Sequence, residues 1–82
     1  MRIDKFLNAV NITKRRAVAE DMLAHKVVRI NDIVVKKAKE VKVGDIVSVH
    51  YLEYVDKFEV LQIPITKSTP KAKQAEYVKK LI

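Results

Sequence analysis

The chain contains no cysteine or tryptophan, one glycine and two prolines. The absence of cysteine excludes a disulfide framework and any metal site with thiolate ligands. Because residues that break regular structure are rare, we expect helices and strands to dominate the 82 residues. No apolar run is long enough to span a membrane, and no signal-peptide pattern opens the sequence. We therefore expect one cytoplasmic domain with no segment that spans a membrane.

The sequence also has little of the chemistry that an active site needs. Its two histidines, His25 and His50, belong to different predicted elements, and no carboxylate stands beside them at the spacing of metal ligands. There is no glycine-rich phosphate loop and no evident pair of nucleophile and base. We expect no enzyme activity, no metal and no cofactor. Aromatic residues are few, and Tyr54, at a predicted hairpin tip, is the one candidate for stacking on a base.

Positive charge is what the chain does have. Lysine and arginine number 17 against 10 aspartates and glutamates, which gives a net charge of +7. The excess is uneven, because residues 1–45 carry eleven basic and six acidic side chains. A positive charge this high on a small protein predicts a polyanionic partner, either a nucleic acid or an acidic membrane surface. Because residues 64–82 contain no tryptophan or phenylalanine, we expect the nucleic acid and no membrane partner.

The hydrophobic pattern predicts two short helices at the start. The first has one apolar face, and Asn11 would end it; the face consists of Ile3, Phe6, Leu7 and Val10. The second is predicted over residues 14–25, with Thr13 as its N-cap. Its buried side would contain Val18, Ala19, Met22 and Leu23.

Three cations, Lys14, Arg15 and Arg16, would then occupy the first turn of the second helix. Cations at the positive end of a helix dipole destabilise the helix, whereas a bound phosphate would reverse the sign of that interaction. Among the features of the residues themselves, this is the strongest indication of function. The alternative is an exposed charge run that binds nothing.

Alternating patterns predict an antiparallel sheet after the helices. A hairpin over residues 27–35 would turn at Asn31 and Asp32, and two further strands are predicted over 46–52 and 57–63.

The tail is predicted to contain a last helix that begins at Pro70. Its apolar stripe would be Ala75, Val78, Leu81 and Ile82. It would either dock on the sheet or stay a basic segment that orders on a partner. We divide the chain into one domain over residues 1–63, and a connector with a basic amphipathic helix over 64–82.

The ordered motifs resemble the S4 RNA-binding domain family. The resemblance covers residues 1–50 and rests on four segments, which are Arg-Ile-Asp-Lys-Phe-Leu from Arg2, Thr-Lys-Arg-Arg-Ala from Thr13, Val-Arg-Ile-Asn-Asp from Val28 and Val-Lys-Val-Gly-Asp-Ile from Val41. It implies an α+β fold with the αL-type RNA-binding motif, in which two N-terminal helices pack on a small, mostly antiparallel sheet. We expect a short C-terminal helix in addition. Lys26 and Asp32 depart from the pattern, because the family usually has glycine at both places.

Within the family, the length and tail are most similar to the branch that acts in ribosome-associated quality control. That resemblance implies binding to ribosomal RNA and P-site transfer RNA on obstructed large ribosomal subunits. It also implies a partner quality-control factor on the same particle. The protein would help this factor to add residues to the C-terminal end of the stalled chain. Arg2 and Arg16 match the positions expected to make key RNA contacts. The full set of predicted RNA-binding residues is Arg2, Lys5, Lys14, Arg15, Arg16, Arg29, Lys36 and Lys37.

Three alternatives stay open. The next most similar branch contains ribosome-associated heat-shock proteins, which bind free large subunits carrying nascent chains. The protein could also be a general module for structured RNA. A protein-interaction module would instead use the tail helix, through Val78, Leu81 and Ile82, to pair with another protein. We expect a monomer in each case.

Overall fold

A computed structural model describes residues 1–66 and 68–81 of the chain. Its first helix, α1, spans Ile3–Ala9, and its second, α2, spans Arg16–Ala24. The apolar stripe predicted for α1 is confirmed, since Ile3, Phe6 and Leu7 are fully buried. Asn11 turns the chain after α1 with a φ of 64°, as expected for an asparagine that ends a helix.

Within the described residues, five strands form one antiparallel sheet in the order β2-β1-β3-β4-β5. The strands are β1 (Val28–Ile30), β2 (Ile33–Val34), β3 (Ile46–His50), β4 (Val55–Val60) and β5 (Val78–Lys80). Asn31 and Asp32 make the turn between β1 and β2 with φ values of 52° and 67°, which is the positive-φ hairpin turn that the sequence predicts. The α+β fold is therefore confirmed.

The helices and one face of the sheet share a single hydrophobic core. Its strand residues include Val28, Ile30, Val47 and Phe58, and they pack with the buried stripe of α1. α2 contributes less to this core. Ala19 and Leu23 are buried as predicted, but Val18, which was predicted on the buried side of α2, is 45% exposed. No helix among the described residues is both long enough and apolar enough to cross a membrane.

The tail folds differently from the single amphipathic helix that was predicted. A 3-10 turn over Lys71–Lys73 leads into α3, which spans only Gln74–Tyr77, and the chain then continues as β5. The short C-terminal helix is confirmed, but its predicted stripe is wrong at Val78, which is buried opposite Val60 in the sheet.

The physical reason is the free edge of β4. A strand edge carries unpaired N–H and C=O groups, and a β-branched residue suits the sheet better than a short helix. Leu81 also donates its N–H to the carbonyl oxygen of Lys57, at 2.8 Å. Ile82 lies outside the described residues, and the division of the chain at residue 63 remains a prediction.

Lys26 connects α2 to β1 with a φ of 60°. This left-handed conformation costs a residue with a Cβ roughly 1–2 kcal/mol, and glycine adopts it freely. The backbone at Lys26 therefore has the conformation that the usual glycine of the family would adopt, although this chain has lysine there.

We expect Lys26→Gly to raise the free energy of unfolding by about 0.5–1 kcal/mol, because relief of the strain exceeds the entropy that glycine adds to the unfolded chain. Thermal denaturation should show a melting temperature about 4 °C higher. Gly44→Ala is the matched control with the opposite sign, since Gly44 has a φ of 92° and a Cβ there would meet no atom within 4 Å. A lower melting temperature for Lys26→Gly would contradict the assignment of strain.

Candidate RNA-binding face

A buried carboxylate brings two arginines together at the start of α1. Asp4 is fully buried, and its Oδ2 accepts a hydrogen bond of 2.8 Å from Arg2 Nη2 while its Oδ1 accepts one of 3.2 Å from Arg2 Nε. The Arg16 Nη2 atom lies 3.8 Å from the same Oδ2. The guanidinium groups of Arg2 and Arg16 therefore converge on one anion, which partly cancels the repulsion between them.

Local backbone contacts explain why Asp4 is enclosed. Arg2 precedes α1 with an extended backbone, and Ile3 donates its N–H to the carbonyl oxygen of Lys39 at 2.8 Å. Asp4 then falls in the first helical turn, where a carboxylate is favoured by the helix dipole, and its Oδ1 accepts the N–H of Lys5 at 2.8 Å. Neutralisation by Arg2 and Arg16 makes burial of this charge tolerable.

A second ion pair fixes the start of the chain beside this cluster. The Met1 amine donates to Glu40 Oε1 at 2.6 Å. This hydrogen bond, together with the charge of the amine, holds the pKa of the Glu40 carboxyl below its usual value. The ion pair therefore holds Glu40 next to Arg2, with which it forms an isolated antiparallel bridge.

Arg16 is the first residue of α2, and its side chain is 52% exposed. Its Nε lies 3.6 Å from Glu20 Oε1, one helical turn further on. Lys5 is exposed and lines the same groove as Arg16. The structure thus brings three predicted residues, Arg2, Lys5 and Arg16, to one surface.

The prediction for the N-terminus of α2 is partly wrong. The helix begins at Arg16 with Arg15 as its N-cap, so Lys14 and Arg15 precede the first turn and are exposed in the connection from α1. Thr13 is not the cap: its N–H donates to the carbonyl oxygen of Leu7 at 3.1 Å, and its buried hydroxyl has no hydrogen-bond partner among the described residues. Docking against α1 outweighed the local preference of threonine for a cap. Of the three predicted cations, Arg16 lies in the first turn of α2, at the positive end of the helix dipole.

Lys36 and Lys37 flank the cluster on the other side of α2. Both are exposed, and with Lys26 they line a groove of about 540 Å³ between β2 and α2. The carbonyl oxygen of Lys37 also accepts the N–H of Asp4, at 3.4 Å. These lysines extend the basic surface that begins at Arg2 and Arg16.

Arg29 does not join that surface. It alternates with Val28 and Ile30, which face the helices, so its side chain lies on the opposite face of the sheet. It pairs there with Ser48 in the neighbouring strand, and its buried Nε has no hydrogen-bond partner among the described residues. The prediction that Arg29 flanks the cationic cluster is therefore wrong in position.

Tyr54 has a partner within the chain. Its ring stacks on Tyr51, with 4.6 Å between the centroids and 26° between the planes. Burial, with a smaller contribution from the charge of Asp56, raises the pKa of Tyr51. Tyr54 remains 59% exposed, but one face of its ring is already covered.

Sequence reasoning missed the residues that organise this surface. Asp4 belongs to the predicted first helix but not to the predicted binding residues, although its place two residues after Arg2 in a first turn is a detectable signal. Thr69 precedes Pro70 and has the chemistry of a helix cap, but its hydroxyl and its N–H both donate to the carbonyl oxygen of Ala9, at 2.9 and 3.0 Å. Gln74 Nε2 similarly donates to the carbonyl oxygen of Val10 at 2.7 Å, so the tail is tied to the end of α1.

Comparison with known proteins identifies the domain family of the chain. The model of the S4 domain matches residues 1–47. Two proteins from Helicobacter pylori, strains J99 and 26695, are each 44% identical over 78 residues, covering 95% of this chain and 93% of theirs. Both are named RQC P-site tRNA stabilizing factor. The chain belongs to the S4 domain family, with these factors.

Three further comparisons are consistent with the assignment. A protein of the same name from Streptococcus pneumoniae strain R6 is 35% identical over 51 residues, 62% of this chain. The solution structure of a hypothetical protein has a TM-score of 0.86 and 41% identity, and covers all of this chain and 98% of that one. The trimeric heat shock protein 15 of Vibrio cholerae has a TM-score of 0.87 over 98% of this chain and 80% of its own, but its 20% identity shows only a shared fold.

Proposed function

We propose that this S4 protein binds RNA through the surface around Asp4 and stabilises transfer RNA in the P site of obstructed large ribosomal subunits. It contacts ribosomal RNA and transfer RNA on the same particle. A partner quality-control factor then extends the stalled chain with its help, and the protein itself acts as a cytoplasmic binding protein rather than an enzyme. The names of the Helicobacter pylori relatives support this proposal over nearly the whole chain.

The observation that carries the proposal is the pair of arginines on one buried carboxylate. Arg2 donates two of its N–H groups to the Asp4 carboxylate, and its side chain remains 39% exposed. Its other donors can therefore reach a ligand. Arg16 lies too far from Asp4 for a good hydrogen bond, which leaves its guanidinium available. One guanidinium group held by two hydrogen bonds and a second, available one beside it suit adjacent phosphates of an RNA backbone.

The surrounding cations fit the same role. Lys5, Lys14 and Arg15 lie near Arg16, and Lys36 and Lys37 extend the surface beyond α2. We assign them to phosphate contacts that add affinity and salt dependence without reading sequence.

Arg29 is assigned a different contact from the other cations. Because it lies on the opposite face of the sheet, it would reach a second RNA segment rather than the one at Arg2 and Arg16.

The second candidate function follows from the shared fold with heat shock protein 15. In that case the protein would recognise free large subunits that carry a nascent chain. A preference that depends on the nascent chain and not on the transfer RNA in the P site would favour this candidate.

Co-sedimentation with purified particles tests the proposal. The particles are small subunits, empty large subunits, and large subunits carrying peptidyl transfer RNA, each examined across roughly 50–200 mM salt, where phosphate contacts weaken strongly. We expect preference for the particles with peptidyl transfer RNA and weaker binding as salt rises.

Two results would contradict the proposal. Equal binding to all three particles would reduce the protein to a general RNA-binding module. Binding that ignores both salt and nuclease would instead indicate a protein-interaction module.

A further inference from the structure

A groove of about 360 Å³ opens beside Arg16, between the start of the chain, α1 and the connector after β4. On the connector side lies Ile65, whose side chain is 99% exposed. The full lining is Met1, Lys5, Asn8, Arg16, Ile65 and Thr66. Ile65 and Thr66 fall outside the segment that matches the S4 domain, so the groove combines an S4 helix with a feature beyond that domain.

The connector is held at both ends. Pro64 is buried at its start, and Thr69 is fixed at its end by two donors to the carbonyl oxygen of Ala9. Asn11 Nδ2 also donates to the carbonyl oxygen of Thr69, at 2.8 Å. An isoleucine carried on a connector fixed in this way is placed beside Arg16 at the cost of leaving its apolar side chain in water.

The lining combines the groups that a nucleotide needs. Lys5 and Arg16 supply positive charge for a phosphate, and the Asn8 amide can both donate and accept at the edge of a base. Ile65 and Met1 supply apolar contact for the face of a base. None of the described residues that line the groove is acidic, and the volume lies within the range of small-ligand sites.

We propose that this groove binds one unpaired nucleotide of the bound RNA. The base lies against Ile65 and Met1, its edge meets the Asn8 amide, and its phosphate lies at Lys5 and Arg16. A base inside a duplex cannot enter, because both of its faces are stacked on neighbouring bases. The inference rests on the proposed RNA binding and adds a preference for RNA with an unpaired nucleotide beside a helix.

The experiment compares two RNA hairpins that differ only by one unpaired nucleotide in the stem. Affinities are measured for the unmodified protein, Ile65→Ser, Leu52→Ser and Arg16→Ala. Leu52 is the matched control, because it is fully exposed and lies in the turn between β3 and β4. The exposure of both positions predicts unchanged melting temperatures for the two serine variants, which thermal denaturation verifies.

We expect the unmodified protein to prefer the hairpin with the unpaired nucleotide about fivefold, a value at the low end of that for stacking of a base on an aromatic ring, because isoleucine and methionine offer apolar contact without a ring. Ile65→Ser should abolish the preference while keeping the affinity for the fully paired hairpin, and Leu52→Ser should keep the preference.

Equal affinity of the unmodified protein for the two hairpins, with both weakened by Arg16→Ala, would overturn this inference and leave the proposed RNA binding intact. An equal loss for both hairpins in Ile65→Ser would also overturn it. Failure to bind either hairpin at low salt would overturn the inference and the proposed RNA binding together.

Discussion

Arg16→Ala is expected to lower the affinity for large subunits carrying peptidyl transfer RNA at least about tenfold, because a charge-assisted hydrogen bond contributes roughly 1.5–3 kcal/mol. The fold should tolerate the change. Arg16 is half exposed, and its contacts of 3.8 Å to Asp4 and 3.6 Å to Glu20 are weak. A pair of this kind contributes about 0.5 kcal/mol, so the melting temperature should fall by no more than about 3 °C.

Co-sedimentation across a salt series and thermal denaturation together check this expectation. Loss of one phosphate contact should reduce the slope of log affinity against log salt by about one. Arg16→Lys keeps the charge but loses the planar fork of donors, so its affinity should be intermediate.

Lys79→Ala is the matched control for net charge, because Lys79 is exposed on β5, at the edge of the sheet away from β2. An equal loss of affinity in Lys79→Ala would assign the effect to the total charge and contradict a specific role for Arg16.

The parts of the fold that follow from the sequence depend on neighbours along the chain. The stripe of α1 is local, and each of its predicted apolar residues is buried. The turn at Asn31 and Asp32 is likewise set by two residue types that tolerate positive φ. In both cases local preference and tertiary contacts agree, and the pattern alone was sufficient.

The parts that differ depend on contacts far along the chain. The pattern of the tail fits a helical stripe, but pairing of Val78 with Val60 ends α3 after one turn. Thr13 has the chemistry of a cap, yet the chain before it turns back onto Leu7. No local pattern reports such contacts, because they form only when α1 and β4 are already in place.

In the candidate site, too, some features follow from the sequence and others depend on contacts far along the chain. The sequence predicted Arg2 and Arg16 as partners in one role, and the structure brings them together. The sequence could not show that Asp4 is buried beside them, since the start of α1 is placed by backbone hydrogen bonds to Lys37 and Lys39, which are distant along the chain. The opposite orientation of Arg29 was available from its alternation with Val28 and Ile30 and was overlooked.

Arg2 and Arg16 differ in how much each contributes to the stability of the fold. We expect Arg2→Ala to lower the free energy of unfolding by about 2–3 kcal/mol, because it leaves the fully buried Asp4 carboxylate without its two guanidinium hydrogen bonds. For a domain of this size, the melting temperature should fall by about 10 °C. Its weaker RNA binding will therefore mix a lost contact with a loosened fold, whereas Arg16→Ala reports the contact alone.

A double-mutant cycle tests the role of Asp4, with denaturant unfolding as the measurement. Asp4→Asn removes the buried charge at nearly the same volume, so in the Arg2→Ala background it should recover part of the stability that Arg2→Ala loses. In the unmodified background it should be destabilising, since Arg2 loses its anionic partner. If Arg2→Ala unfolds like the unmodified protein, or if the two substitutions are simply additive, the Asp4 carboxylate does not depend on Arg2. The surface around Asp4 would then be held by α1 and the segment around Lys39 alone.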